Sequence, residues 1–188
     1  LADNTVGSTE TFTVTPKAGN YITGATINGV TIAGTAVSGK TDGTKSFSFT
    51  VKESNAVTIN TAAIAYTKPT GSGFATNLPD NLNDKTLGST VDFWVKPTDN
   101  GNCYHVTYNN VTLTPTTTDA DKTKHYTFTV GMNNTLSVST PSYDNGFCTV
   151  CGAYQPATPN AEGVYEIANA GQLYWFADKV NGGETAIN

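Results

Sequence analysis

Residues 6–16 read VGSTETFTVTP, and residues 87–97 read LGSTVDFWVKP. Gly7, Ser8, Thr9, Phe12, Val14 and Pro16 reappear as Gly88, Ser89, Thr90, Phe93, Val95 and Pro97, 81 positions later. The same offset aligns ATINGVTI at 25–32 with VTYNNVTL at 106–113. FSFTV at 47–51 aligns with YTFTV at 126–130 at an offset of 79, and Asn55, Val57, Ile59 and Thr61 align with Asn134, Leu136, Val138 and Thr140. Four blocks in one order mark an internal duplication. The offset changes between blocks, in a loop, where a change of length costs little.

The matched blocks alternate apolar residues with Thr, Ser or Asn, the period of a strand with one dry face and one wet face. Phe12, Phe49, Phe93 and Phe128 are thus expected inside, with Thr13, Thr50, Trp94 and Thr129 on the opposite side. Asn28-Gly29 sits between two such runs, and a two-residue hairpin turn wants positive φ at both positions. Asn109-Asn110 holds the equivalent place. The expected fold is all-β: two tandem small modules of β-sandwich or β-grasp-like form, with a short C-terminal helix. Residues 1–66 form the first module, 67–84 a Pro/Gly/Ser/Asn-rich linker, 85–141 the second module and 142–160 a linker carrying Cys-x-x-Cys. Residues 161–188 then read as the truncated start of a further module. There Asn169 is placed to cap a helix, with Gln172 three residues on. Leu173, Phe176, Ala177 and Val180 form its apolar face, and Gly182-Gly183 ends it. A helix this short needs a docking partner.

Composition excludes several classes of function. Only 13% of the 188 residues are charged, and all ten basic residues are lysine. With a sequence pI near 4.8, there is no footprint for nucleic acid or for an anionic membrane surface. No apolar run approaches the ~20 residues that span a bilayer. Leu1-Ala2-Asp3-Asn4 has neither the basic start nor the apolar stretch of a secretory signal, so a mature chain or a fragment is expected.

Candidate sites are few. Trp94, which replaces Thr13 of the first repeat, is expected to point outward, where its ring could stack on a sugar; His105 and Thr107 share a wet face in this reading. Packing of Trp94 on the linker or the other module is the rival. Cys148-x-x-Cys151 reads first as a local disulfide or a pair of inert thiols. The rival is half a zinc ribbon, for which Cys103 and His105 are the remaining N/S donors. On the expected boundaries those two lie in another module, which would have to fold back. A redox pair would need a βαβ setting that is absent. Asp119-Ala120-Asp121 and Asp99-Asn100-Gly101-Asn102 are oxygen-rich, but neither has an EF-hand pattern. Cys103 and His105 could project to one face of a strand as a nucleophile pair, yet no acid is placed to orient them. No catalytic residue, cofactor or metal is therefore assigned.

The run from Pro16 through Tyr21-Ile22, Thr26-Ile27-Asn28-Gly29 and Phe47-Ser48-Phe49-Thr50-Val51 to Asn55-Ala56-Val57-Thr58-Ile59 resembles the divergent internalin-type B-repeat modules of bacterial surface proteins. The second copy, from Pro97 to Leu136, departs from that pattern at Asn110 and around Asp99–Asn102. The tail, GFCTVCGAYQPA at 146–157 with GVYEI at 163–167 and AGQLYWFA at 170–177, resembles a junction before GLUG-type repeats in large secreted proteins of gut anaerobes. In similar junctions a Cys/His pair can stand upstream of the Cys-x-x-Cys. Ser139–Tyr143 supply neither, which counts against metal. The resemblance implies an extracellular or bacterial cell-surface location and a non-catalytic role in adhesion or as a stalk. The partners implied are a host or dietary glycan or surface protein, and flanking domains of a parent protein. An accessory carbohydrate-binding module of a secreted polysaccharide-degrading enzyme is the alternative.

Overall fold

The alternating pattern produces strands from the ninth residue onward. The computed structural model describes residues 5–98, 104–139, 142–149 and 152–183. Its first strands are β1 (Thr9–Val14), β2 (Asn20–Ile27), β3 (Val30–Ile32), β4 (Thr35–Ala36), β5 (Lys45–Thr50), β6 (Val57–Ala63) and β7 (Ala65–Thr67). The first six build two antiparallel three-stranded sheets, ordered β1-β5-β4 and β3-β2-β6. Ile22, Ala25 and Ile27 of β2 meet Phe47 of β5 in one core, with Phe12, Val14, Ile32, Phe49 and Ile59 packed against it. The two sheets therefore close on each other as a small sandwich, burying the apolar half of each strand.

The chain continues through β8 (Phe74–Thr76), β9 (Thr90–Pro97), β10 (His105–Tyr108), β11 (Val111–Thr112), β12 (Thr117–Thr118), β13 (Lys124–Thr129) and β14 (Asn133–Ser139). The pairing of the first repeat returns residue by residue. Ala25 faces Ile59 and Ile27 faces Val57 across β2 and β6; Val106 faces Val138 and Tyr108 faces Leu136 across β10 and β14. Ile27 pairs with Val30 as Tyr108 pairs with Val111. The Gly7 N–H to Val51 carbonyl bond recurs from Gly88 to Val130, and the Val51 N–H to Ser8 carbonyl bond from Val130 to Ser89. Phe12 and Phe49 stand 6.2 Å apart edge to face, and Phe93 and Phe128 stand 6.0 Å apart in the same manner.

The turn chemistry is repeated too. Asn28 and Gly29 have φ of 51° and 82°, while Asn109 and Asn110 have 49° and 66°. These are the left-handed conformations a tight hairpin demands. Phe93 and Phe128 are buried, whereas Phe12 and Phe49 are half-buried; Thr13, Thr50 and Thr129 lie on the wet side. Trp94 is half-buried rather than exposed.

Compactness follows other boundaries than the repeat. One unit comprises residues 1–68, 78–93 and 127–135; the other comprises 69–77, 94–126 and 136–188. Residues 67–84 carry more structure than a linker. In the first unit Leu78 and Leu82 are buried, and β7 runs parallel to the start of β14, with Ala65 opposite Asn133. In the second unit β8 pairs antiparallel with β9, placing Thr76 opposite Val95.

The tail adds β15 (Tyr143–Asp144), β16 (Phe147–Cys148) and α1 (Ala170–Asn181). The Asn169 side chain accepts the Gln172 N–H, and Gln172 Oε1 accepts the Ala168 N–H, so the expected cap forms and the helix ends at Gly182. The expected docking face does not form. Leu173 and Val180 remain 56% and 49% exposed, because the helix seats by its first turn, where Gly171 and Gln172 are buried. A Cβ on Gly171 would fall on the Gly146 carbonyl.

Two substitutions test this account by thermal or denaturant unfolding. Gly29→Ala should cost about 1–2 kcal/mol, because a β-carbon is strained at its positive φ, whereas Gly29→Asn should cost clearly less, as the second repeat already holds Asn there. Gly171→Ala should lower helicity at 222 nm and destabilise the tail, although alanine gains about 1 kcal/mol over glycine in an unobstructed helix.

Candidate functional site

Trp94, His105 and Cys148 each have a definite place. Trp94 lies on β9 between the buried Phe93 and Val95. Its N–H donates to Asn77 Oδ1 at 2.7 Å, and its carbonyl accepts the Thr76 hydroxyl at 2.7 Å. The segment 74–77 thus occupies the strand edge beside it. His105 lies on β10, in a different sheet from β9, so the shared wet face expected for Trp94 and His105 does not exist. Asp99–Asn102, Cys103 and Cys151 lie outside the described residues, and with them the expected Cys148–Cys151 bridge.

His105 meets a different partner. Its Nε2 is 3.3 Å from Sγ of Cys148, which is 3% exposed. The thiol is held there by a hairpin. Asn145 and Gly146, both at positive φ, turn the chain between β15 and β16, which sets Cys148 opposite Tyr143. The Cys148 N–H then donates to the Ala153 carbonyl at 2.8 Å, and the Cys148 carbonyl accepts the Gly152 N–H at 2.9 Å. The stretch 148–153 is therefore closed at both ends by backbone bonds. Two residues far apart in sequence come together because β10 and this hairpin belong to one compact unit.

The acids of the Asp119–Asp121 loop are already engaged. Asp121 Oδ2 takes the Lys96 ammonium at 2.8 Å, and its Oδ1 accepts the Thr123 N–H. Asp119 Oδ2 is 2.9 Å from His125 Nε2. This is turn and ion-pair chemistry on the surface. The Lys96 hydrogen bond, followed by those of Thr123, holds the Asp121 carboxyl well below the usual carboxylate range. Among the described residues, no group of three or more His, Cys, Asp or Glu is placed to hold a metal ion.

In the first unit a shallow groove of about 210 Å³ is lined by residues that include Ile27, Val30, Ile32, Phe49 and Lys52. It is smaller than the roughly 300–1,000 Å³ of a typical ligand cleft and brings no acid–base pair together. Sequence reasoning missed a group of aromatic rings in the tail. Tyr154 and Tyr174 stack with centroids 5.5 Å apart, Phe147 stands 5.8 Å from each, and Trp175 lies 5.4 Å from Tyr165. Its signal in the sequence is the adjacent pair Tyr174-Trp175, with Phe147, Tyr154 and Tyr165 upstream. No helix is long and apolar enough to cross a membrane among the described residues. Comparison with known proteins finds no matching family model, no matching curated protein and no matching solved structure.

The Asp121 contacts carry a pH signature. A carboxyl whose folded pKa is depressed contributes stability that is full above its unfolded value and fades as pH falls toward the folded one. Asp121→Asn should therefore lower Tm by roughly 1–2 °C at neutral pH, the small effect of an exposed pair. The difference from the parent chain should shrink as the pH drops below the ordinary value of 3.8. Paired melting curves across pH measure it.

Proposed function

We propose that the chain is a non-catalytic segment of a secreted or cell-surface bacterial protein, serving adhesion or acting as a stalk. The observation that supports this reading is the repeated pairing. Matched positions of the two repeats are spent on ladders, turns and core, and the substitutions between copies fall on exposed or edge positions as well as inside. A duplicated unit of this kind supplies length and surface without a reaction centre. The low charge and the Thr/Asn-rich wet faces give a surface with many short hydrogen-bonding groups.

The accessory carbohydrate-binding reading is favoured by one specific feature, the stacked Tyr154–Tyr174 pair with Tyr174 53% exposed. An aromatic face of that kind suits the apolar side of a sugar ring.

Two measurements separate these readings. An antibody raised against the chain should label intact cells that make the parent protein, and trypsin, which cleaves at the lysines, should strip the label. Labelling that needs permeabilised cells overturns the surface assignment. In a polysaccharide pull-down, Tyr174→Ala and Trp94→Ala are compared with the parent chain. A drop of about tenfold in retention for either, the scale of one lost aromatic stack, supports glycan binding. Absence of retention on every glycan overturns it and leaves adhesion to protein, or spacing.

A further inference from the structure

The histidine and cysteine that meet in the second unit are the chemically richest juxtaposition in the described chain. His105 stands where the first repeat has Gly24, and Cys148 lies beyond the last matched block, so their pairing has no counterpart in the first repeat. A neutral imidazole and a thiolate are the preferred donors for zinc, with Zn–N of about 2.0–2.1 Å and Zn–S of about 2.3 Å. Two such ligands at a tetrahedral angle leave N and S about 3.5 Å apart. Nε2 of His105 and Sγ of Cys148 are 3.3 Å apart.

The surrounding backbone is suited to a ligand knuckle. The loop 148–153 is closed by two backbone hydrogen bonds through Cys148 itself. Cys148 begins a Cys-x-x-Cys-Gly sequence, and His105 ends a Cys-x-His sequence. Close spacing within each ligand pair is the sequence hallmark of a structural zinc site. The objection from sequence was that the two motifs lie in separate modules. It fails, since both described members are in one compact unit and in contact.

We propose that His105 and Cys148 are ligands of a structural zinc ion, which ties the tail hairpin to β10. The nearest further thiols in the sequence, Cys103 and Cys151, are the donors to test for the remaining positions of a four-coordinate site. An ion held by these two residues would contribute folding energy by joining segments distant in sequence.

The test uses the full chain, reduced and stripped of metal, then titrated with Zn²⁺ and, separately, with Co²⁺. One equivalent of zinc should bind, raise Tm and survive native mass measurement. Cobalt should give the charge-transfer band of a thiolate ligand and the visible bands of a tetrahedral ion, a readout that needs no variant. His105→Ala and Cys148→Ser should each weaken zinc binding by more than the roughly 10–100-fold that follows loss of an outer-shell partner. Cys103→Ser and Cys151→Ser, measured the same way, assign the other ligands. Because Cys148 is buried, His105→Gln serves as the variant least disturbing to packing. A reduced chain that takes up no zinc, a cobalt complex without thiolate charge transfer, or unchanged affinity in both the His105 and Cys148 variants overturns the proposal.

Discussion

An asparagine side chain that bonds both backbone groups of the residue three before it sets the last strand of each repeat. Asn55 accepts the Lys52 N–H and donates to the Lys52 carbonyl; Asn134 does the same with Gly131. The amide thus stands in for one rung of a β-ladder at the point where the chain reverses, which satisfies backbone groups that would otherwise need water. With that turn fixed, β6 and β14 enter their sheets in one register. A slip by one residue would turn Ile59 or Val138 outward and the wet residues inward. Each repeat then elaborates the device. Asn55 accepts from the Asn28 amide, joining this turn to the hairpin, whereas Asn134 donates to the Ala65 carbonyl and brings β7 alongside β14.

Copies of one unit have diverged in how deeply they are buried. Phe12 and Phe49 are half-buried in the first repeat, while Phe93 and Phe128 are fully covered in the second. Val57 is 45% exposed, whereas its equivalent Leu136 is 2% exposed. The same alternation therefore specifies which face is apolar without specifying how much covers it. Segments outside the repeat add to both units: Leu78 and Leu82 are buried in the first, and 74–76 pairs along β9 in the second. Small sheets of this size bury little area by themselves, so such additions carry a large part of their stability. This division suits a segment whose proposed role is spacing or attachment, since exposed positions can vary while the ladder persists.

Residues 67–84 show why a composition shift can mislead. Pro69, Gly71, Ser72 and Gly73 are turn formers, and the chain bends at Ser72-Gly73, but the bend delivers Phe74–Thr76 to the edge of β9. The Tyr104 ring packs 6.0 Å from Phe74, and its hydroxyl donates to the Gly73 carbonyl. Such a short strand has no periodicity of its own to read. The reading of Trp94 as outward-pointing got the side of the strand right, since Phe93 and Val95 are buried, but the residue is half-buried rather than exposed. The exposed face of α1 is a parallel case. Its 3.6-residue pattern is real, yet the close approach of Gly171 to Gly146 decides where the helix seats.

Local chemistry was legible without coordinates wherever one or two residues suffice to determine conformation. The Asn28-Gly29 and Asn109-Asn110 turns, the Asn169 cap, the strand faces and the duplication itself all follow from steric limits on φ and from period. These act over a few residues, so they are written in the chain directly. The tertiary structure alone decided that His105 and Cys148 touch, that 67–84 supplies a sheet edge and that Leu173 and Val180 stay wet. Each of these depends on the packing of segments distant in sequence. Contact at that range is set by the summed burial of many side chains, and no single pair of residues encodes it.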